Sequence, residues 1–334
     1  MKNNVAYLFP GQGTNYRGSA LDFLAEGDGA VRALFDLASS VFERDMEATL
    51  RDCDEQTMKR TDVAQPAITL CCLAAAAYLD GLGWKPKACA GFSLGEYPAM
   101  TRAGVLSDED CFRLIKARGE AMQRSADRLR ESAGGDASAA PGMTAIIGLS
   151  PGKVESVVEQ LRSDGAADLY VANVNSLSQV VLSGTAAALK EAEGYLTGAG
   201  AKVMRLRVAG PFHSPLIADA ADAFAPALES ANFADPKIPL YSNVTGKRVA
   251  SGAEARKLAL LQITAPVRWL EEQSAISWDA PEAAVGFEAC LEVGPGKVLR
   301  GFWKDSNGGI PFHGAGTVED VKKLGRDAAN SEGA

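Results

Sequence analysis

The sequence predicts an α/β protein in which a small β-α-β-β-α-β unit interrupts a larger α/β body. Three observations carry this reading. Val5–Phe9 is an unbroken apolar run closed by Pro10-Gly11-Gln12-Gly13, a short strand entering a turn. The apolar run Ala88-Cys89-Ala90 leads into Gly91-Phe92-Ser93-Leu94-Gly95 and then into a helical stretch at residues 96–103, so strand, sharp turn and helix follow in order. Residues 144–208 then alternate strand and helix patterns in the split-βαβ, or ferredoxin-like, order.

Each element has a local reason. Apolar positions at helical spacing place helices at residues 29–43 and 66–82, the second with a small, alanine-rich face. Residues 108–130 read as a long helix with Ser107 or Asp108 as N-cap. Residues 131–142 (ESAGGDASAAPG) lose all periodicity and are expected to form a mobile loop. In the small unit, residues 144–149, 169–174, 179–183 and 202–208 read as strands and 152–161 and 185–196 as helices, with a turn at Asn175-Ser176. Gly210-Pro211 marks the return to the body. A helix is expected at 216–230, a strand at 239–244, a helix at 254–262 and a strand within 285–293. Gly294-Pro295-Gly296 then makes a tight turn into residues 297–303, and the small, polar tail from Ala328 is expected to fray. The body is thus residues 1–142 and 209–334, and the small subdomain residues 143–208.

At 334 residues the chain has room for one large α/β domain or two smaller ones. It is 47% hydrophobic and 23% charged, an ordinary globular balance. The net charge of -8 argues against nucleic acid as the main partner. The N-terminus lacks a charged-then-apolar signal pattern, and no apolar run approaches the roughly 20 residues of a membrane span. A cytoplasmic protein without membrane contact is therefore expected. The six cysteines, at 53, 71, 72, 89, 111 and 290, show no Cys-x-x-Cys spacing. Several sit in apolar runs, so buried free thiols are expected rather than disulfides or a metal site.

Gly-x-Ser-x-Gly is what a nucleophile elbow needs. Small residues on both sides let the backbone reverse, lifting the Ser93 hydroxyl toward free N–H groups at the helix start, where an oxyanion can be held. The same residues also suit an ordinary strand–helix turn. A serine nucleophile needs a base, usually histidine, and the chain has two, His213 and His313. His313 has the C-terminal place usual in serine hydrolases, but its glycine-rich surroundings read as a surface turn. Gly11-Gln12-Gly13 lacks the third glycine of a dinucleotide fingerprint and no Gly-Lys-Ser/Thr occurs, which disfavours a nucleotide cofactor.

Further segments narrow the choice. In chain order they are Phe9-Pro10-Gly11-Gln12-Gly13, Gln65-Pro66-Ala67, the stretch 91–97, Arg118-Gly119-x-x-Met122 and Asn175-Ser176. Then come Gly210-Pro211-Phe212-His213-Ser214-Pro215-Leu216, Ser242-Asn243-Val244, Gln262 with Pro266-Val267-Arg268-Trp269, and Glu292-Val293-Gly294-Pro295-Gly296. Together they span residues 5–300 and resemble the malonyl-CoA:acyl-carrier-protein acyltransferases, of the fatty acid synthesis type or the trans-acting polyketide type. The resemblance implies a hydrolase-like α/β body with a ferredoxin-like insert, the division already read from the strand pattern.

The resemblance assigns Ser93 as the nucleophile that attacks the thioester and His213 as its base, a dyad without a partner aspartate. The main-chain carbonyl of Gln262 then orients the imidazole, leaving Nε2 free to take the serine proton. Gln12 and the Leu94 N–H become the oxyanion donors, and Gln65, Met122 and Asn175 line or brace the pocket, as does Asn243. Arg118 is implied to grip the free carboxylate of a malonyl group through two parallel hydrogen bonds. Its bland alternative is a solvated helix charge among Arg113, Lys116 and Arg124. Phe212 resembles malonyl-selective members. Phe92 departs from the family, which usually has histidine before the nucleophile; this bears on acyl selection, not on the dyad. The 131–142 loop is longer than usual.

The implied reaction is malonyl transfer from malonyl-CoA, through a malonyl-serine, to the phosphopantetheine thiol of an acyl carrier protein. No tightly bound cofactor or metal is implied, a Lys/Arg patch should receive the acidic carrier, and a monomer is expected. The rivals are an acyl hydrolase on the same scaffold, against which Arg118 argues, an acyltransferase for another acyl-CoA, and a silent carrier-binding module.

Overall fold

The computed structural model describes residues 2–136, 138–279, 287–306 and 309–332. In chain order the body begins with β1 (Val5–Phe9), α1 (Leu21–Glu26), α2 (Gly29–Phe42), α3 (Met46–Asp52), α4 (Thr61–Gly81), β2 (Pro86–Gly91), α5 (Glu96–Arg102) and α6 (Asp108–Ser132). A second group follows: β3 (Gly142–Ile147), α7 (Pro151–Ser163), β4 (Leu169–Ser176), β5 (Gln179–Gly184), α8 (Ala186–Gly198) and β6 (Lys202–Arg205). The chain closes with α9 (Ala218–Ser230), α10 (Gly252–Leu261), α11 (Trp269–Asp279), β7 (Ala289–Glu292), α12 (Val298–Ser306), β8 (Phe312–Gly314) and α13 (Val318–Glu332).

Every residue of β1 is buried, as a parallel strand covered on both faces must be. It pairs in parallel with β2 on one side and β7 on the other, and β8 extends the sheet beyond β7. Alternation divides the core. Val5, Tyr7 and Phe9 join the apolar cluster built with α2, α4 and α6, while Ala6 and Leu8 face Trp269, Phe302 and Trp303 on the other side. The second sheet is antiparallel, in the order β4-β5-β3-β6, the ferredoxin-like order. One face packs on α7 and α8 through Ile146, Val154, Leu182 and Leu189. The other turns Met143, Ala145 and Val181 toward the body.

Some expectations are corrected. Helix α4 starts at Thr61, one turn before Pro66, because the side-chain oxygen of Gln123 accepts from the Thr61 N–H at 2.7 Å. By length and composition α4 could cross a membrane (mean hydropathy 1.4), contrary to the expectation of no such run, but 89% of that window is buried in the protein. Ser107, not Asp108, caps α6, accepting from Asp110 N at 3.0 Å. Strand β4 runs through Asn175 and Ser176, which places the turn at Leu177-Ser178. Asp305 of α12 holds that turn, accepting from the Ser178 N–H and hydroxyl at 3.0 and 2.8 Å. Residues 239–244 form no full strand; single bridges join Leu240 to Cys89 and Tyr241 to Arg248. His313 lies on β8 rather than in a surface turn. Helix α6 takes the first two residues of the 131–142 segment and β3 takes its last, and residue 137 lies outside the described residues. Residues 285 and 286 of the 285–293 segment lie outside them as well. Helix α13 carries the tail to Glu332, and residues 333 and 334 lie outside too. The six cysteines are free and all but Cys53 are buried.

The approach of β1 to the elbow leaves no room for side chains. A Cβ on Gly95 would sit 2.1 Å from the Phe9 carbonyl oxygen, and one on Gly91 would sit 1.9 Å from that of Gly95. On the exposed face of α8, a Cβ on Gly194 would meet nothing within 4 Å. Gly95→Ala is therefore expected to destabilise the protein by about 3 kcal/mol, and Gly194→Ala to stabilise it by about 0.5–1 kcal/mol. Urea unfolding midpoints of the two variants should move in opposite directions; a shared direction would contradict this packing.

Candidate active site

The elbow is a strained turn held from outside. Ser93 has a φ of 52°, in the left-handed region that residues with a side chain seldom enter. Asn243 fixes it from a separate segment. Its Oδ1 accepts from the Ser93 N–H at 2.5 Å while its Nδ2 donates to the Gly91 carbonyl at 2.6 Å. One amide thus clamps the chain on both sides of Phe92. His213 is also left-handed, with a φ of 57°, so both members of the pair occupy strained backbone.

The two side chains meet. Ser93 Oγ and His213 Nε2 are 2.8 Å apart, and His213 Nδ1 donates to the main-chain oxygen of Gln262 at 2.9 Å. With Nδ1 carrying the proton, Nε2 presents its lone pair to the serine hydroxyl. Burial, then the neighbouring positive charge of Arg118, pushes the His213 pKa down to about 4. The imidazole is therefore neutral at ordinary pH and ready to accept a proton.

Arg118 reaches the same point from α6. It is 0% exposed, which excludes the solvated-helix alternative. Its Nη2 lies 3.4 Å from Ser93 Oγ and donates to Gln262 Oε1 at 3.0 Å, and the guanidinium stands 5.5 Å from the centre of the Tyr97 ring. Burial lowers its pKa, and its Nε makes no hydrogen bond within the described residues. A buried guanidinium with an unpaired donor, beside a nucleophile, is suited to an incoming anion.

Gln262 does more than the carbonyl role expected of it. Sitting at the end of α10, it takes Arg118 on Oε1 and donates Nε2 to the Ser93 carbonyl at 3.1 Å and to Glu96 Oε2. Glu96 and Glu272 were not among the sequence candidates. Both are buried, and Asn243 joins them, its N–H donating to Glu96 at 3.3 Å and its Nδ2 to Glu272 at 2.8 Å. Burial raises the Glu96 pKa to about 7 and that of Glu272 well above the ordinary carboxylate range. The available signal was a glutamate directly after Gly-x-Ser-x-Gly, at the start of a helix whose first turn is inside the protein.

These groups open onto a cavity of about 410 Å³. Gln12, Gln65, Leu94, Met122, Asn175 and Phe212 all line it together with Phe92, Ser93, Arg118 and His213. Gln262 stands behind this wall. Gln65 Nε2 lies 3.4 Å from Met122 Sδ, and Gln12 Nε2 lies 3.4 Å from Thr61 Oγ1. Gln65 Oε1 and Asn175 Oδ1 are buried without a partner among the described residues. Phe92 packs edge-on against Trp269 and tilted against Phe302, both at 5.7 Å. The opposite wall comes from the second sheet, with Met143, Ala145, Val181 and Met204 as its apolar part and Asn173, Asn175 and Gln179 as its polar part. His313 is not among the lining residues. A neighbouring cavity of about 500 Å³ shares Gln12, Gly13, Arg207 and Val208 and adds Arg17 and Lys59.

Comparison with known proteins places the chain in a family. The acyl transferase domain family matches residues 6–299. The chain is 32% identical over 306 residues to the malonyl CoA-acyl carrier protein transacylase of Bacillus subtilis (strain 168), covering 91% of each. It superposes on the crystal structure of malonyl CoA-acyl carrier protein transacylase from Clostridium perfringens with a TM-score of 0.87 and 28% identity, over 98% of each chain. A structure of a type II PKS acyl-carrier protein in complex with its malonyl-transacylase matches with a TM-score of 0.83 and 30% identity, over 96% of this chain and 98% of that one.

The paired geometry predicts which histidine matters. Labelling of Ser93 by a fluorophosphonate should fall by about 100-fold or more in His213→Ala and stay within about twofold in His313→Ala, as read by intact-protein mass. The sign of the pH effect follows from the neutral base: labelling should hold level from pH 7 down to 5, then fall about tenfold per unit below about 4. Loss of labelling in His313→Ala instead would overturn the pairing.

Proposed function

Because the chain belongs to the acyl transferase family and is an acyltransferase, we propose that it moves a malonyl group from malonyl-CoA to the phosphopantetheine thiol of an acyl carrier protein through a malonyl-serine. The observation that carries the acyl choice is Arg118, wholly buried with Nη2 3.4 Å from Ser93 Oγ. A guanidinium there matches an acyl group that ends in a carboxylate and leaves an acetyl group without a partner for the charge. Gln65 Oε1 and Asn175 Oδ1 add acceptors to the same cavity that need an N–H donor, such as an amide of the pantetheine arm, since the malonyl group itself has none.

The chemistry follows in two halves. Ser93 Oγ attacks the thioester carbonyl as His213 Nε2 takes its proton. Gln12 and the Leu94 N–H hold the oxyanion of the tetrahedral intermediate. The carbon–sulfur bond breaks, the imidazolium returns the proton to the departing sulfur, and CoA leaves as a thiol. The carrier's thiol then gives its proton to His213 and attacks the ester carbonyl. The carbon–oxygen bond breaks and the proton returns to Ser93. Arg118 holds the carboxylate throughout, and the Gln262 carbonyl steadies the imidazolium each time it forms.

The reading also gives each unit of the chain a part. Residues 1–142 and 209–334 supply the reacting groups, and residues 143–208 supply a roof of apolar and amide side chains that shields the ester from water. Arg17 and Arg207 in the adjoining cavity, where Lys59 is paired with Glu55 at 2.7 Å, leave a net positive mouth suited to the phosphates of CoA or of the carrier's arm.

Purified protein given labelled malonyl-CoA should form a stable acyl-enzyme and pass the label to added carrier protein. Release of free malonate instead would make it a hydrolase, and no acyl-enzyme would make it a silent module. Arg118→Ala should lower kcat/KM for malonyl-CoA by about 100-fold, the loss of a charge-assisted pair, while acetyl loading rises relative to it. Equal loss for both acyl groups would count against the carboxylate role.

A further inference from the structure

We propose that the buried carboxyls of Glu96 and Glu272 form a proton-accepting counterion for Arg118, so that loading an acyl group bearing a carboxylate takes up one proton at this pair. The inference rests on the malonyl reading above and adds to it a positioning role for residues that never touch substrate.

The geometry is a closed relay. The positive charge of Arg118 ends on Gln262 Oε1 at 3.0 Å, and the same amide donates its N–H to Glu96 Oε2. Glu96 is 3% exposed and Glu272 0% exposed, so neither charge is screened by water. Asn243 ties the two together, with its N–H on Glu96 at 3.3 Å and its Nδ2 on Glu272 at 2.8 Å, and Glu272 Oε1 has no partner among the described residues. The titratable groups facing Glu96 are Arg118 on α6, Glu272 on α11 and Tyr97 on its own helix; His213 hangs from the main-chain oxygen of the same Gln262.

Charge balance sets the direction. One guanidinium cannot offset two carboxylates in a dry interior, so the pair shares a proton. Glu272, raised by burial and then by the charge of Glu96, carries it, and Glu96, raised by burial, is the group that titrates, near pH 7. Without substrate, Arg118 and an ionised Glu96 cancel. A malonyl carboxylate on Arg118 adds a negative charge to the same buried cluster and lifts the Glu96 pKa further. Above about pH 7 Glu96 must then gain a proton for the acyl group to settle, so loading weakens as pH rises. Transfer itself is proton-neutral while CoA leaves as a thiol, so the extra proton comes from solvent and bonds to a Glu96 carboxylate oxygen.

The test is a pH-indicator measurement in weak buffer as wild-type protein is loaded with one equivalent of malonyl-CoA. Uptake of about half a proton or more per malonyl group is expected at pH 7.8, and almost none at pH 6, where Glu96 is already protonated. In parallel, kcat/KM for malonyl-CoA should fall with rising pH between about 7 and 9 in wild type and stay flat in Glu96→Gln, whose amide mimics the protonated acid. A purely structural role would lower activity equally at every pH. Malonyl loading without proton uptake in wild type, or an unchanged pH profile in Glu96→Gln, overturns the proposal while leaving the acyltransfer reading intact. Absence of any malonyl loading defeats that reading and this one with it.

Discussion

A guanidinium buried beside a nucleophile is the constraint around which the site is arranged. Arg118 is 0% exposed, yet its position next to Ser93 would be untenable without polar groups drawn in from distant segments. Gln262 comes from the end of α10, Glu96 from the first turn of α5, and the aromatic face of Tyr97 from the following residue. The same charge bears on the base. After burial, the larger cause, it holds the imidazolium form of His213 down, which keeps the histidine neutral and its lone pair available. A substrate carboxylate that meets Arg118 relieves that repulsion as the reaction needs the imidazolium to form. On the proposed function, recognition and proton transfer would then be coupled through one positive charge.

Gln262 and Asn243 show how few side chains hold the arrangement. Gln262 orients His213 with its main chain while its amide joins Arg118, Ser93 and Glu96. Asn243 joins the two ends of the elbow to both buried carboxyls. Loss of either amide would leave buried donors and acceptors unpaired, each at a cost of about 1–3 kcal/mol. Phe92 belongs to a different layer. It stacks with Trp269 and Phe302 on the second core cluster, so the residue before the nucleophile is anchored by aromatic packing rather than by a polar contact.

What could be read from the sequence was what local pattern encodes. The parallel strand β1, the Gly-x-Ser-x-Gly turn and the β-α-β-β-α-β order depend on neighbours a few residues away, and each stands in the structure. The meeting of Ser93 with His213, 120 residues apart, was legible because only two histidines existed and the residues around His213 carried the family resemblance. What escaped depends on contacts between distant segments. The start of α4 is set by Gln123, and the 177–178 turn is held by Asp305. Residues 239–244 have strand composition but pair by single bridges, and His313 joins an edge strand that its glycine-rich flanks concealed. Glu96 and Glu272 were not singled out, since a helix pattern by itself does not mark a carboxylate that the rest of the fold will bury.

The central claim is that Ser93 and Arg118 grip two ends of one acyl group. A crystal structure of the protein trapped with malonyl-CoA tests it most directly. The account predicts an ester on Ser93 Oγ, with the free carboxylate hydrogen-bonded to the guanidinium of Arg118. An ester whose carboxylate points away from Arg118, or a malonyl group attached at any other residue, would contradict it.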